Sequence, residues 1–157
     1  MKPRVYIFSR APIFGLAKTR LAADIGKVHA HRIYKAMIAK VIKRTKDSRW
    51  EVIISGTPSK SLDQVIEWQG LRQVSQAKGT LSDKLNKIFR KKGPIVVIGT
   101  DCPQLNQKDI AAAFNALKSY DTVFGPAEDG GFWLIGMHAP LKKDIFSSFC
   151  MGQELTD

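Results

Sequence analysis

The sequence is short of every feature that would take it out of the ordinary globular class. It has two cysteines, Cys102 and Cys150, too few for a disulfide framework and too widely spaced for a zinc knuckle, so a reducing, cytoplasmic setting is expected. No apolar run approaches the roughly 18 residues of a membrane span. The opening MKPRVYIFSR breaks at Ser9 and Arg10, and reads as a first strand and not a signal peptide. Neither a P-loop nor the G-x-G-x-x-G dinucleotide fingerprint occurs. None of the three histidines, His29, His31 and His138, is placed by sequence beside a cysteine or serine, so no nucleophile–base pair marks a metal-independent hydrolase.

Acidic residues are scarce in the first third. Residues 1–50 carry 13 lysines and arginines against Asp24 and Asp47, whereas residues 51–157 carry 12 of each sign, so the whole formal charge of +11 arises there. Much of it falls on one predicted helix, roughly residues 27–46, with a buried stripe of Ala30, Ile33, Tyr34, Met37, Ile38, Val41 and Ile42. Lys35, Lys40, Lys43, Arg44 and Lys46 lie mostly off that stripe, as a solvated face or a docking face for acidic partners or membrane. A nucleic-acid module needs aromatics among its surface cations, and Trp50, Trp68 and Trp133 fall in predicted strands or helix instead.

What is present is a chain of 157 residues, 44% hydrophobic and 25% charged, enough for one domain with a real core. Strands are expected at residues 4–8, 50–54, 71–74 and 95–98. Helices are expected from about Lys18 or Gly26, near 59–68, over 81–90 and over 106–118. This alternation predicts a doubly wound α/β sheet. After Tyr120 come two short strands, 122–124 and 132–137, around a glycine-rich connection, then a helical turn or more near 141–149. The tail CMGQELTD offers no element strong enough to close a domain.

Chemistry is concentrated in three segments. In GPIVVIGTDCPQL, Ile95, Val96, Val97 and Ile98 read as a strand buried on both faces. Gly99 and Thr100 then lead to Asp101, just past the carboxyl end of the strand, where open α/β sheets bind ligands. Asn106 is the better cap for the helix that follows, which leaves Asp101 without an obvious structural role and available to a hard cation such as Mg²⁺. In SRAPIFGLAKTRL, after the first strand, Pro12 and Gly15 force an irregular loop from Arg10 onward. Lys18, Thr19 and Arg20 then offer two cations and a hydroxyl near a helix start, a combination that suits phosphate. In GPAEDGGFWLIG, Glu128 and Asp129 precede Gly130 and Gly131, whose freedom of φ suits a hairpin turn or close approach of backbone to a ligand.

Together, FSRAPIFGLAKTRLAADIG, IGTDCPQL and GPAEDGGFWLIG, in this order and spacing, resemble the radical-SAM/selenodomain-associated transferases, over about Arg4 to Thr156. The resemblance implies a single domain, 1–157, of Rossmann-like, glycosyltransferase-A type. That is a three-layer α/β/α arrangement with a mostly parallel, mixed central sheet, as in nucleotide-diphospho-sugar transferases. It implies Lys18 and Arg20 on phosphates, Asp101 as ligand to Mg²⁺ or Mn²⁺, and Asp129 as second ligand or acceptor-site acid. Arg10, Pro12, Gly15, Thr19, Thr100, Gly130 and Gly131 would complete the nucleotide site. The implied activity is nucleotidyl or glycosyl transfer from a nucleotide or nucleotide sugar to a small-molecule acceptor. The alternative is a non-catalytic nucleotide- or partner-binding protein on a degenerate transferase fold. Relatives often carry Gly-Asp-Leu-Gly, an acidic residue and Arg where residues 79–84 read GTLSDK, with Thr80, Ser82 and Lys84 as the departures. They also usually continue past this chain's last residue, which implies an acceptor side left open, one completed by a partner subunit of a homo-oligomer, or a degenerate enzyme.

Overall fold

A computed structural model of the chain describes residues 1–15, 18–141 and 146. Its elements are β1 (Arg4–Arg10), α1 (Thr19–Ile25), α2 (Lys27–Thr45), β2 (Glu51–Thr57), β3 (Arg72–Ser75), α3 (Leu81–Phe89), β4 (Gly93–Ile98), α4 (Gln107–Ala116), β5 (Thr122–Pro126) and β6 (Phe132–Ala139). Six strands form one sheet in the order β3-β2-β1-β4-β6-β5. The first four run parallel, β6 runs antiparallel to β4, and β5 antiparallel to β6.

Alternation of side chains along doubly buried strands divides the core in two. Val5, Ile7, Val52, Ile54, Val96 and Ile98 point to the layer of α2 and α4, where Tyr34, Ile38, Ile42 and Ile110 meet them. Tyr6, Ile53, Ile95 and Val97 point to the other layer, against Leu85, Ile88 and Phe89 of α3. The result is the expected three-layer α/β/α arrangement around a mostly parallel, mixed sheet. The uninterrupted apolar run of β4 exists because both faces of that strand are covered.

Helix ends follow local chemistry. Asn106 caps α4, its side chain accepting from the Lys108 and Asp109 amides while the Asp109 carboxylate reaches back to the Asn106 amide. Thr80 does the same for α3 with Asp83, so one of the departures in GTLSDK has a structural occupation. Gly26, at φ +86°, separates α1 from α2, so the alternative starts considered for one helix, about Lys18 or Gly26, each begin a helix of their own.

Two expectations need correction. Residues 59–68 form two 3₁₀ turns, Ser59–Ser61 and Ile66–Trp68, and not one helix. Pro58 precedes the first turn in extended conformation, and Asp63, at φ +66°, interrupts the backbone between them. Ile33 was expected in the buried stripe of α2 but is 42% exposed, because the buried line runs through Ala30, Tyr34, Ile38, Val41 and Thr45 and leaves Ile33 at its outer edge. The helical turn expected over 141–149, Cys150 and the tail lie outside the described residues, apart from Leu141 and Phe146. Among the described residues, no helix is long and apolar enough to cross a membrane.

Candidate functional site

From β1 the chain proceeds to β2 and β3 on one side, then returns to place β4 on the other. The loops that follow β1 and β4 therefore diverge at a topological switch point, the crevice in which open α/β sheets bind ligands. Register aligns Ile7 of β1 with Ile98 of β4, Ile98 with Leu134 of β6, and Leu134 with Gly125 of β5. All three segments singled out in the sequence thus emerge at the same edge of the sheet.

The β1 loop is built to return the chain toward β4. Ala11 donates to the Thr57 carbonyl at 2.7 Å, extending the β1–β2 ladder, and Ile13 donates to the Ala11 carbonyl at 2.8 Å. Pro12 is half-buried in this bend. Gly15 takes φ +79°, as its place in the loop requires, and a Cβ there would sit 3.8 Å from Lys27 Cδ. Lys18 follows in the left-handed region, φ 55° and ψ 47°, at the start of α1. A residue with a side chain rarely holds that conformation without a compensating constraint. Here Lys18 Nζ donates to Asp101 Oδ1, across 83 residues of sequence. Thr19 and Arg20 are exposed in the first turn of α1. With only seven residues, α1 contributes little as a dipole, so the positive charge of this loop comes from its cations and not from the helix end.

Beneath the pair lies Tyr34, which sequence reasoning assigned to the core alone. Its ring centroid is 5.7 Å from the Lys18 ammonium, and its hydroxyl donates to the Arg10 carbonyl at 2.6 Å. The hydroxyl also meets the side chains of Ser9 and Thr100. Burial pushes the Tyr34 phenol above its ordinary pKa, and the negative charge of Asp101 acts in the same direction. Hydrogen bonds to Ser9, Thr100 and the Arg10 backbone oppose the shift. Ser9 and Thr100, at the ends of β1 and β4, are both buried. A tyrosine on an otherwise aliphatic stripe was the available signal for this cluster.

Asp101 has no cap to serve, since Asn106 caps α4, and its side chain is 76% exposed. In the third segment, Ala127 donates to the Gly131 carbonyl and Gly130 to the Ala127 carbonyl, closing a hairpin turn in which Gly130 takes φ +87°. Asp129 is exposed and accepts from the Gly131 amide at 3.0 Å, so this carboxylate also has a local turn to hold. Lys18 and Asp101 are in contact, whereas Asp129 shares their edge of the sheet. Among the described residues, no three His, Cys, Asp or Glu side chains gather as a ready-made metal cage.

A cleft of about 320 Å³ opens beside the site, lined by Arg10, Ala11, Ile13, Thr57, Pro58 and Lys60. It joins apolar walls to two cations at the carboxyl ends of β1 and β2. A larger hollow, about 420 Å³, is lined by residues such as Lys46, Trp50 and Leu71, before β2 and β3 and therefore at the opposite edge, away from this chemistry.

The class that these observations support is an α/β fold with a six-stranded, mostly parallel, mixed sheet, a fold the chain shares with solved structures of the nucleotide-diphospho-sugar transferase type. Over residues 38–153 the chain matches the model of DUF2064, described as an uncharacterized protein conserved in bacteria, and it belongs to that family. It is similar to a provisionally assigned nucleotide-diphospho-sugar transferase from Desulfovibrio desulfuricans G20. The two share 22% identity over 97% of this chain and 70% of that one, with a TM-score of 0.84. A CMP:2-keto-3-deoxy-manno-octonic acid synthetase complexed with CTP shares the fold at 14% identity, over 79% of this chain and 52% of that one, TM-score 0.55. A protein from Mycobacterium tuberculosis H37Rv in complex with manganese shares it at 12% identity, over 86% and 70%, TM-score 0.50. No curated protein matches the chain in sequence.

Proposed function

We propose that this protein is a metal-dependent transferase that uses an activated nucleotide donor, either a nucleotide whose pyrophosphate leaves or a nucleotide sugar whose nucleoside diphosphate leaves. The observation that carries the reading is the meeting of Lys18 and Asp101 at the switch point between β1 and β4. A cation for phosphate and a carboxylate for metal stand side by side where this fold class binds ligands. The motif resemblance to radical-SAM/selenodomain-associated transferases, and fold relatives bound to CTP and to manganese, support it.

The donor set fits a hard divalent cation. Asp101 already attracts a positive group, the Lys18 ammonium, and its carboxylate is otherwise open to solvent. Mg²⁺ and Mn²⁺ are commonly held by one or two carboxylates together with substrate phosphates, so a site without an all-protein cage is the expected form. Bound at Asp101, with Asp129 as second carboxylate, such an ion supplies Lewis-acid neutralisation of charge developing on the phosphate oxygens. Lys18 and Arg20 hold those oxygens and stabilise the same charge. The cleft beside Arg10 and Lys60 takes the remainder of the nucleotide, with Ala11, Ile13 and Pro58 offering an apolar wall. Asp129, on the hairpin, orients an acceptor hydroxyl or takes its proton.

A thermal-shift screen of nucleoside triphosphates, nucleoside diphosphates and nucleotide sugars, with Mg²⁺, Mn²⁺ or chelator, tests the reading. Ligand at about 100 times its Kd adds roughly 2.7 kcal/mol, or about 5–10 °C for a domain of this size. The expected result is metal-dependent stabilisation by one nucleotide class, lost in Asp101→Asn, followed by release of pyrophosphate or nucleoside diphosphate with an acceptor. Stabilisation without turnover over a broad acceptor panel assigns a non-catalytic nucleotide-binding protein. No stabilisation by any of these ligands overturns the proposal.

A further inference from the structure

The same contact that identifies the site also blocks it. Lys18 donates to Asp101, so each residue's charge is engaged by the other in the ligand-free chain. A divalent cation arriving alone has to displace the ammonium from the carboxylate it needs, leaving Lys18 without its counterion. A phosphate-bearing anion arriving alone has to draw Lys18 away, leaving a bare carboxylate facing the anion. When both arrive, one ion pair is exchanged for two.

We propose that Lys18 and Asp101 are exchangeable partners that make divalent cation and phosphate bind cooperatively, each ligand releasing the residue the other requires. The inference rests on the reading above of Asp101 as metal carboxylate and Lys18 as phosphate cation. The geometry suits a swap. Asp101 is on the solvent side, 76% exposed, and is open to an incoming ion, whereas the Lys18 side chain is 28% exposed and held from below. Its ammonium lies 5.7 Å from the Tyr34 ring centroid, and that ring is fixed by the 2.6 Å bond from its hydroxyl to the Arg10 carbonyl. Lys18 therefore keeps a seat on the aromatic face when Asp101 is taken, and need not swing into solvent before it reaches an anion. Coupling of this kind is reciprocal: whatever factor the cation adds to anion affinity, the anion adds to cation affinity.

Calorimetric titration with single probes separates this exchange from ordinary ligation. The probes are Mn²⁺ alone, and inorganic pyrophosphate alone in the presence of chelator. The expected result is that Lys18→Met binds Mn²⁺ twofold to fivefold more tightly than the unmodified chain, about 0.4–1 kcal/mol at 1.4 kcal/mol per decade. By the same release of a partner, Asp101→Asn is expected to bind metal-free pyrophosphate more tightly, also by about twofold to fivefold. Lys27→Met and Glu128→Gln remove like charges outside the pair and are expected to move these affinities by less than half as much. Lys18→Arg, which keeps the pair, is expected to leave Mn²⁺ affinity unchanged. Thermal midpoints of the variants establish that each is folded.

Equal effects from the charge controls overturn the exchange, because long-range charge then accounts for everything. Mn²⁺ affinity unchanged or weakened in Lys18→Met, while Asp101→Asn still abolishes it, overturns the exchange and leaves the transferase site standing. Mn²⁺ binding that is indifferent to Asp101→Asn, or that is absent from the unmodified chain both alone and with saturating pyrophosphate, overturns both readings together.

Discussion

The Tyr34 hydroxyl donates to the Arg10 carbonyl at 2.6 Å, so α2 is tied to the last residue of β1, where the Lys18 loop begins. Removing that hydroxyl leaves the part-buried carbonyl with only the longer, 3.4 Å bond from the Ser9 hydroxyl. Tyr34→Phe is expected to cost about 1–2 kcal/mol in urea unfolding.

Alkali provides an independent check on the same residue. Burial raises the pKa of both Tyr34 and Tyr6 in the folded chain. Below about pH 10 both states keep these protons, and the stability difference is constant. Above it the unfolded chain releases protons that the folded chain retains, so stability falls as pH rises, by at most about 1.4 kcal/mol per pH unit for each group. Urea midpoints from pH 8 to 11 are expected to fall less steeply in Tyr34→Phe; equal slopes contradict the assignment.

In the Asp101 loop, the helix cap and the proposed metal ligand are different residues. Asn106→Ala is expected to lower stability by about 1 kcal/mol through loss of the α4 cap, without selective loss of metal. Asp101→Asn is expected to change stability by less than about 0.5 kcal/mol while removing metal-dependent ligand stabilisation. Denaturation curves paired with the ligand screen distinguish the two; destabilisation of similar size in both variants makes Asp101 a structural residue.

Asp129 can be tested while its turn is preserved. An asparagine there still offers a side-chain oxygen to the Gly131 amide, so Asp129→Asn is expected to keep its thermal midpoint. Turnover is expected to fall about 10²-fold or more if the carboxylate handles the acceptor proton. Unchanged turnover removes Asp129 from the chemistry.

Gly56 is packed against the floor of β2. A Cβ there would stand 2.7 Å from the Trp68 ring and 3.2 Å from Leu62, and Trp68 is fully buried. Gly56→Ala is therefore expected to cost about 1–3 kcal/mol, read from the urea midpoint, because the indole has no room to yield.

Residues 95–98 announced β4 as a strand covered on both faces, and Asn106 announced the start of α4, because each signal is local. The individual site loops were legible for the same reason: glycine, proline and charge cluster just past apolar runs. That Lys18 touches Asp101 was not legible, since the order β3-β2-β1-β4 is set by packing and has no local trace. Residues 59–68 misled because Leu62, Val65 and Trp68 have helical spacing, yet their spacing serves burial under β2 through two 3₁₀ turns. Thr80 read as a departure from a ligand motif, and its capping of α3 shows how a local requirement can occupy a position that a family pattern assigns to function.

The placement of β4 beside β1 bears on how the chain matures. Through β3, the polypeptide carries Lys18 and Tyr34 but lacks Asp101, and a sheet of β1, β2 and β3 holds only one partner of the ion pair. Competence is reached only when a strand made late in the sequence inserts against the first, a closure of high contact order. Any ligand that bound across Lys18 and Asp101 would act as a seal on the finished sheet, slowing its opening without hastening its assembly.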